Sequence, residues 1–242
     1  MVSIKYLKNG KSFLTNSSNE DLEILTNENK PEFEMKLKAN TDISLVSAVL
    51  DAEYKLNDND VYFYNGYQSW TDTHLTYKNF KERNILKGPK GIVKLWALDQ
   101  YGDSHFYKYS KKIVHGYDLF YAKGNNPVFI YNLNYENAYL VFELHKKDNK
   151  LTLLSMVEGW NIKKDETISL FHFARFDSYD EGLNSFNNQF VINTKEKIFG
   201  YTSWYNYYQN INENIILRDL DALDDRFNLF QIDDSQSPTN VS

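Results

Sequence analysis

Apolar and polar side chains alternate with a period of two along much of residues 1–174, and this is the pattern of half-buried β-strands. In residues 32–38, for example, Phe33, Met35 and Leu37 alternate with charged side chains. Gly, Pro, Asn or Asp residues separate the apolar runs, and no long helical period interrupts them. We therefore predict a large antiparallel two-sheet fold. The predicted strands span residues 32–38, 43–56, 61–64, 91–96, 104–109, 117–121, 128–133, 138–145, 151–157 and 167–175.

The pattern changes after residue 176. Ser178 is a candidate N-cap for a helix that runs to about residue 190, with Leu183, Phe186 and Phe190 at helical spacing. The charge changes as well, because residues 201–242 carry two basic and seven acidic side chains, whereas the first 200 residues are nearly balanced. We place a domain boundary here, with one domain at 1–195 and another at 196–242.

The last segment has the pattern strand, helix, strand. Two short apolar runs at 198–203 and 227–232 flank a helical period at 212–223, which Asn212 could cap. Asp219 is predicted to lie largely outside the apolar face of this helix, which consists of Ile216, Leu220 and Leu223. The run at 227–232 is apolar enough for a strand buried on both faces. Two such strands joined by a helix are expected to pair in parallel, with a right-handed crossover.

Composition excludes several classes of function. The chain has 242 residues and a net charge of -6, and this acidic balance argues against a nucleic-acid partner. It has no cysteine, which excludes disulfides and thiolate chemistry and is compatible with a reducing cytoplasm. No apolar run reaches the length of a signal peptide or a membrane span, so we expect a cytoplasmic chain with no membrane partner. The five histidines are scattered and no phosphate-binding glycine pattern occurs, so we expect neither a metal nor a cofactor.

Aromatic residues make up 16% of the chain, and two explanations remain open. Aromatic side chains favour the pleated, half-buried surfaces of β-sheets. They also bind sugars, because a flat ring covers the C–H face of a pyranose while Tyr and Trp add a polar edge. Composition alone does not separate these explanations.

Polar and aromatic side chains follow both strands of the predicted strand–helix–strand unit. Trp204 follows the first strand, and Asp233 and Asp234 follow the second. The carboxyl ends of parallel strands meet at one edge of a sheet, where α/β proteins bind their ligands. The alternative is that the aspartates only cap a helix or lie in a solvated loop. Separately, Asn65-Gly66 in the run 65–70 predicts a hairpin turn, which alone would be structural.

Three segments together resemble one known family. They are Asn-Gly-Tyr-Gln-Ser-Trp-Thr-Asp-Thr at 65–73, Gly-Tyr-Thr-Ser-Trp-Tyr at 200–205 and Phe-Gln-Ile-Asp-Asp at 230–234. In this order they resemble the alpha-galactosidases (melibiases) of glycoside hydrolase family thirty-six, over the chain from about residue 60 to Asp234. The resemblance implies a mainly β fold, with an N-terminal β-supersandwich at 1–195 followed by the first β-α-β unit of an incomplete (β/α)8 barrel, or TIM barrel, at 196–242.

The same resemblance implies substrate-binding roles for four residues. Trp204 matches a tryptophan that lines the galactose subsite, and Asp233 and Asp234 match paired aspartates that hydrogen-bond galactose hydroxyls. Trp70 matches a tryptophan of the N-terminal domain that reaches the mouth of the active site, in some members from a neighbouring subunit. The expected partner is therefore a galactose-containing oligosaccharide such as melibiose or raffinose, and a homo-oligomer is a further expectation.

The resemblance implies no catalytic residue in this chain. Family members are retaining glycosidases, in which a nucleophile and an acid/base lie about 5 Å apart. Those residues follow barrel strands four and six, whereas this chain stops after strand two, with Ser235 where the family has a glycine. We expect a truncated, non-catalytic portion of a glycosidase. The alternatives are a standalone carbohydrate-binding or interaction module and, more weakly, a transferase or a hydrolase of another alpha-linked sugar.

Overall fold

A computed structural model of the chain describes residues 1–67, 73–78, 113–189, 197–208 and 210–233. The chain forms two compact units, residues 1–190 and 191–242. The boundary predicted between residues 195 and 196 lies outside the described residues. None of the described helices is long and apolar enough to cross a membrane.

The first unit is mainly β, as predicted, and its described strands form two sheets with antiparallel pairing throughout. In spatial order, the first sheet contains β2 (Lys11–Thr15), β1 (Val2–Lys8), β5 (Ile43–Glu53), β12 (Lys150–Ser155), β11 (Leu140–His145) and β8 (Ile113–Tyr117), with β13 (Asn161–Ile162) also paired to β5. The second contains β3 (Leu22–Asn29), β4 (Glu32–Ala39), β14 (Thr167–Phe176), β10 (Val128–Asn132), β9 (Leu119–Lys123), β6 (Val61–Tyr64) and β7 (His74–Tyr77). The strands predicted at 91–96 and 104–109 lie outside the described residues.

One hydrophobic core lies between the two sheets. The alternation in β4 explains its contribution, since Met35 and Leu37 point inward and are buried while their charged neighbours are more exposed. Each fully buried aliphatic or aromatic side chain contributes about 1.5–3 kcal/mol. The largest fully buried side chains of the core include Ile4, Tyr6, Leu37, Leu45, Phe120, Phe142 and Phe171.

The two Asn-Gly pairs of the chain behave differently. Asn9 and Gly10 have φ angles of 50° and 74° and join β1 to β2 in a two-residue hairpin, with Lys8 opposite Lys11. The predicted hairpin is present, because β6 and β7 pair antiparallel, but Asn65-Gly66 is not its whole turn, since β6 ends at Tyr64 and β7 begins only at His74. The second pair instead starts a longer loop, in which the Gly66 amide donates to the Thr73 hydroxyl at 2.7 Å.

The strand predicted at 117–121 is two strands that belong to different sheets. Asp118, with a φ of 58°, separates β8 in the first sheet from β9 in the second. Its carboxylate Oδ1 accepts hydrogen bonds from the Leu140 amide of β11 and from Asn132 Nδ2 of β10, both at 2.8 Å. Its own amide donates to the Leu140 carbonyl, and its carbonyl accepts from the Asn132 amide, again at 2.8 Å. One residue therefore bonds to both sheets at one of the places where the chain crosses between them.

The predicted helix after Ser178 is present as α1 (Tyr179–Gln189), which packs on the outer face of the second sheet. Leu183 and Phe186 face the sheet as their spacing predicts, whereas Phe190 lies outside the described residues. Gly182 allows this close approach, since a Cβ atom there would lie 2.4 Å from Phe129 Cβ.

The second unit contains β15 (Gly200–Thr202), α2 (Trp204–Tyr207), α3 (Glu213–Asp221) and β16 (Leu229–Gln231). The two strands pair in parallel, as predicted. Asn212 caps α3 as predicted, with its Oδ1 accepting from the Ile215 amide at 3.0 Å. The predicted burial of 227–232 on both faces is wrong, because Leu229 is 46% and Ile232 59% exposed. Two strands are too few to cover both of their faces.

Replacing Asp118 by alanine should lower the free energy of unfolding by about 2–4 kcal/mol, because two amide donors lose their acceptor. Asp118→Asn should stay within about 1 kcal/mol of the wild type, since the amide oxygen can still accept both bonds and asparagine tolerates a positive φ. Burial raises the pKa of the Asp118 carboxyl above its usual range, and the amide avoids that cost of burying charge.

Urea unfolding of the three proteins measures these differences. Asp165→Ala is the control for the cost of placing alanine at a positive φ, because Asp165 has a φ of 68° but is exposed. It should lower the free energy of unfolding by about 1 kcal/mol. Equal losses in Asp118→Ala and Asp165→Ala would show that the carboxylate does not join the sheets.

A buried carboxylate that accepts hydrogen bonds from β1 of the first sheet should make stability depend on acid pH. Asp21 accepts hydrogen bonds from Lys8 and from the Tyr6 hydroxyl, and the Lys8 bond is the main reason that the Asp21 pKa lies below its usual range. The stabilisation is therefore present above the unfolded-state pKa of about 3.9 and is lost as pH falls through the lowered folded-state value.

Asp21→Asn should consequently flatten the fall in unfolding free energy between about pH 5 and pH 2, measured by urea titration at each pH. Asp177→Asn, at an exposed carboxylate, should keep the wild-type slope. Parallel curves for Asp21→Asn and the wild type would contradict the assignment.

Candidate functional site

The candidate site lies at the carboxyl edge of the parallel strand pair in the second unit. Trp204 is the first residue of α2, two positions after the end of β15, and Asp233 lies two positions after the end of β16. Because the strands are parallel and Thr202 pairs with Gln231, both residues lie at the same edge of the sheet. The structure thus places these two predicted site residues together.

Ser203 joins the two segments that follow the strands. It is fully buried, and its amide donates to the Gln231 carbonyl at 3.2 Å. Its hydroxyl oxygen accepts a hydrogen bond from the Asp233 amide at 3.0 Å. This pair of bonds fixes the backbone of Asp233 relative to Trp204. Ser203 was not among the predicted site residues, although a small polar residue between an apolar strand and an aromatic residue is the signal that could have identified it.

Trp204 presents an indole ring that is partly buried. Tyr208 packs against it edge to face, with 5.4 Å between the ring centroids and an interplanar angle of 76°. Such a contact holds one part of the indole and adds about 0.5–1.5 kcal/mol beyond the area that it buries. A partly exposed indole at a strand edge is the kind of surface on which a sugar ring stacks.

A second cluster lies beside the site on α3. Asp219 accepts hydrogen bonds from the Tyr201 hydroxyl of β15 and from Arg218, and its side chain is only 13% exposed. The Tyr201 hydroxyl, followed by Arg218, holds the pKa of Asp219 below its usual range. Arg218 also donates to the Tyr207 hydroxyl of α2 at 2.6 Å.

The predicted orientation of Asp219 is therefore wrong. It lies on the partly buried face of α3 together with Ile215 and Ile216, whereas Leu220 is exposed. Leu223, two residues after the helix, is also partly buried. Asp219 lies four residues after Ile215 and therefore on the same face of the helix. The Tyr201 hydroxyl donates a hydrogen bond to the Asp219 carboxylate on that face. That spacing, with a tyrosine in the preceding strand, is the signal that was missed.

Two of the four predicted substrate-binding residues cannot be placed. Trp70 and Asp234 lie outside the described residues, so only Trp204 and Asp233 have described positions. Within the described part of the chain, no group of three or more metal-ligating side chains could hold a metal ion.

The first unit carries a separate group of three aromatic rings, Tyr67, Tyr117 and Tyr139, which we call the tyrosine triad. The ring of Tyr67 lies 5.1 Å from that of Tyr117 and 5.7 Å from that of Tyr139, measured between centroids. Tyr117 is buried, whereas Tyr67 and Tyr139 are 37% and 47% exposed. The triad is a partly exposed aromatic surface with hydroxyl groups on its rings, a combination that suits carbohydrate.

No protein-family model matches the chain, and no curated protein matches it either. The fold alone defines the class of the protein: it is mainly β, with a small second unit that contains two parallel strands. The assignment of a function rests on the motifs and on the geometry of the strand edge.

Replacing Ser203 by alanine should release the Asp233 amide, because the acceptor of its hydrogen bond is removed. We expect hydrogen exchange at that amide to become about tenfold faster, the equivalent of about 1.4 kcal/mol. The Phe199 amide is an internal control, since it donates to Asn228 Oδ1 in the same unit and should keep its rate. An unchanged rate at Asp233 would mean that Ser203 does not fix this segment.

Proposed function

We propose that the chain is the N-terminal portion of a retaining alpha-galactosidase. In this proposal, residues 1–195 are its β-supersandwich and residues 196–242 begin its (β/α)8 barrel. The observation that carries the proposal is the position of Trp204 and Asp233 at one edge of two parallel strands, joined through Ser203. The motifs at 65–73, 200–205 and 230–234 support the same family.

The proposed site binds galactose through two complementary surfaces. The indole of Trp204 offers an apolar face to the C–H face of the sugar. The carboxylate of Asp233 accepts hydrogen bonds from sugar hydroxyls, and bonds to a charged acceptor are about twice as strong as neutral ones. A site built to bond a hydroxyl discriminates against an epimer in which that hydroxyl is misplaced. The sequence resemblance also implies substrate-binding roles for Trp70 and Asp234.

This chain alone binds the sugar and does not hydrolyse it. Hydrolysis with retention requires a nucleophilic carboxylate and an acid/base on either side of the glycosidic bond. In the proposed family these follow barrel strands four and six, whereas residues 196–242 match only the first two strands of the barrel. The chain therefore contributes to substrate binding and depends on further barrel strands for the chemistry.

We expect weak binding of methyl alpha-galactoside, with a dissociation constant in about the millimolar range, measured by isothermal titration calorimetry on the full chain. Trp204→Ala and Asp233→Asn should each weaken the affinity at least about tenfold, because each removes one of the two surfaces. Nitrophenyl alpha-galactoside should not be turned over by the wild type.

The controls separate recognition from nonspecific binding. Asp225→Asn changes an exposed carboxylate of the same unit and should leave the affinity unchanged. Methyl alpha-glucoside, the epimer at C4, should bind more weakly than the galactoside. Equal affinity for both sugars in all variants, or turnover that Asp233→Ala abolishes, would contradict the proposal.

A second candidate function is a standalone carbohydrate-binding module, favoured by the tyrosine triad. In that case the same titration should be sensitive to Tyr67→Ala and Tyr139→Ala and insensitive to Trp204→Ala and Asp233→Asn. Tyr77→Ala is the matched control, because Tyr77 is an exposed tyrosine outside the triad. The two candidates thus make opposite predictions for the same set of variants.

A further inference from the structure

We infer that Arg218 and Asp219 are positioning residues, which hold the short helix α2 in place and thereby set the orientation of Trp204 at the strand edge. The inference rests on the proposed function only in assigning Trp204 to ligand binding. Its structural part concerns the contacts among β15, α2 and α3.

Helix α2 depends on contacts with its surroundings, because it has only four residues. A single turn of helix is unstable alone, since it fixes many dihedral angles for few hydrogen bonds. Ser203 stands at its N-terminus but makes no side-chain capping bond, because its own backbone is helical, with φ -66° and ψ -25°. Its hydroxyl instead accepts from the Asp233 amide. Side-chain contacts must therefore provide much of the order of this turn.

Arg218 provides one such contact and is itself held by Asp219. Its Nε and Nη2 atoms donate to Asp219 Oδ1 at 3.0 and 2.7 Å, and Nη2 also donates to the Tyr207 hydroxyl at 2.6 Å. The planar guanidinium can make these bonds together, whereas the ammonium of lysine has no such fixed fork. Arg218 therefore fastens α2 to α3.

Asp219 connects the same cluster to the sheet. Its Oδ2 accepts from the Tyr201 hydroxyl, while the ring of Tyr201 stacks on Phe230 of β16 at 5.0 Å. A continuous series of contacts thus runs from both strands through α3 to Tyr207. Tyr207 lies three residues after Trp204 on the same short helix, so a shift of Tyr207 changes the orientation of the indole.

The test uses the full chain labelled with 5-fluorotryptophan and fluorine NMR. Trp204→Phe assigns the Trp204 resonance by its loss. Arg218→Lys and Tyr207→Phe should each shift or broaden this resonance and leave that of Trp160, in the first unit, unchanged. The double variant should shift the Trp204 resonance no further than the single variant with the larger shift, because both substitutions remove the same hydrogen bond between Arg218 and Tyr207.

Arg226→Lys is the matched control. Arg226 pairs with Asp224 two residues earlier and is an exposed arginine of the same unit without a described contact to α2. It should leave the Trp204 resonance where the wild type has it. If Arg218→Lys and Tyr207→Phe also leave the resonance unchanged, the inference is overturned.

Affinity separates this inference from the function on which it rests. Arg218→Lys should weaken binding of methyl alpha-galactoside about three- to tenfold, the equivalent of about 0.7–1.4 kcal/mol, while Arg226→Lys should not. A shifted Trp204 resonance in a chain whose wild type binds no galactoside would uphold the positioning role and refute the proposed function. A shifted resonance with unchanged affinity would overturn the link between this cluster and the ligand.

Discussion

In the first unit, the hydrogen bonds of Asp118 connect the two sheets at β8 and β9, one of several places where the chain passes from one sheet to the other. Burial of apolar side chains holds two sheets together but does not fix their relative position, because the hydrophobic effect is non-directional. Hydrogen bonds are directional, and those between Asp118 and both Leu140 of β11 and Asn132 of β10 help to fix the position of one sheet relative to the other. This crossing acts together with the other passages between the sheets and with the inward-facing side chains of both sheets, which fill the space between them.

The second unit follows a different principle. Its parallel strands are covered on one face, where Tyr201 stacks on Phe230 and bonds to Asp219 of α3. Leu229 has the opposite orientation in β16 and is exposed, and the hydroxyl of Thr202 is buried without a hydrogen-bond partner among the described residues. Parallel sheets are normally covered on both faces. This unit therefore carries the candidate site on an element with little core of its own.

Much of the fold could be predicted from the sequence, because alternation and turn residues act locally. The strands around residues 32–38 and 151–157, the α1 helix and the Asn212 cap follow from such signals. The split at Asp118 could not be predicted, since the run 117–121 is continuous in sequence and the crossing depends on distant acceptors and donors. For the candidate site, Trp204 and Asp233 were predictable from the strand ends. Ser203 and Asp219 act through hydrogen bonds with Asp233 and Tyr201, which are distant in the sequence, so the local pattern gives only a weak signal for them.

The central claim is that stability lies in the two-sheet unit and that the candidate site lies on a weakly stabilised strand pair. Native-state hydrogen exchange measured along the full chain tests it most directly. We expect the amides of β16 (Leu229–Gln231) to exchange much faster than those of β11 (Leu140–His145), under conditions where an amide exchanges only after its hydrogen bond has opened. Equal protection of β16 and β11 in a demonstrated monomer would contradict it, because the strand pair would then be a stable unit in its own right.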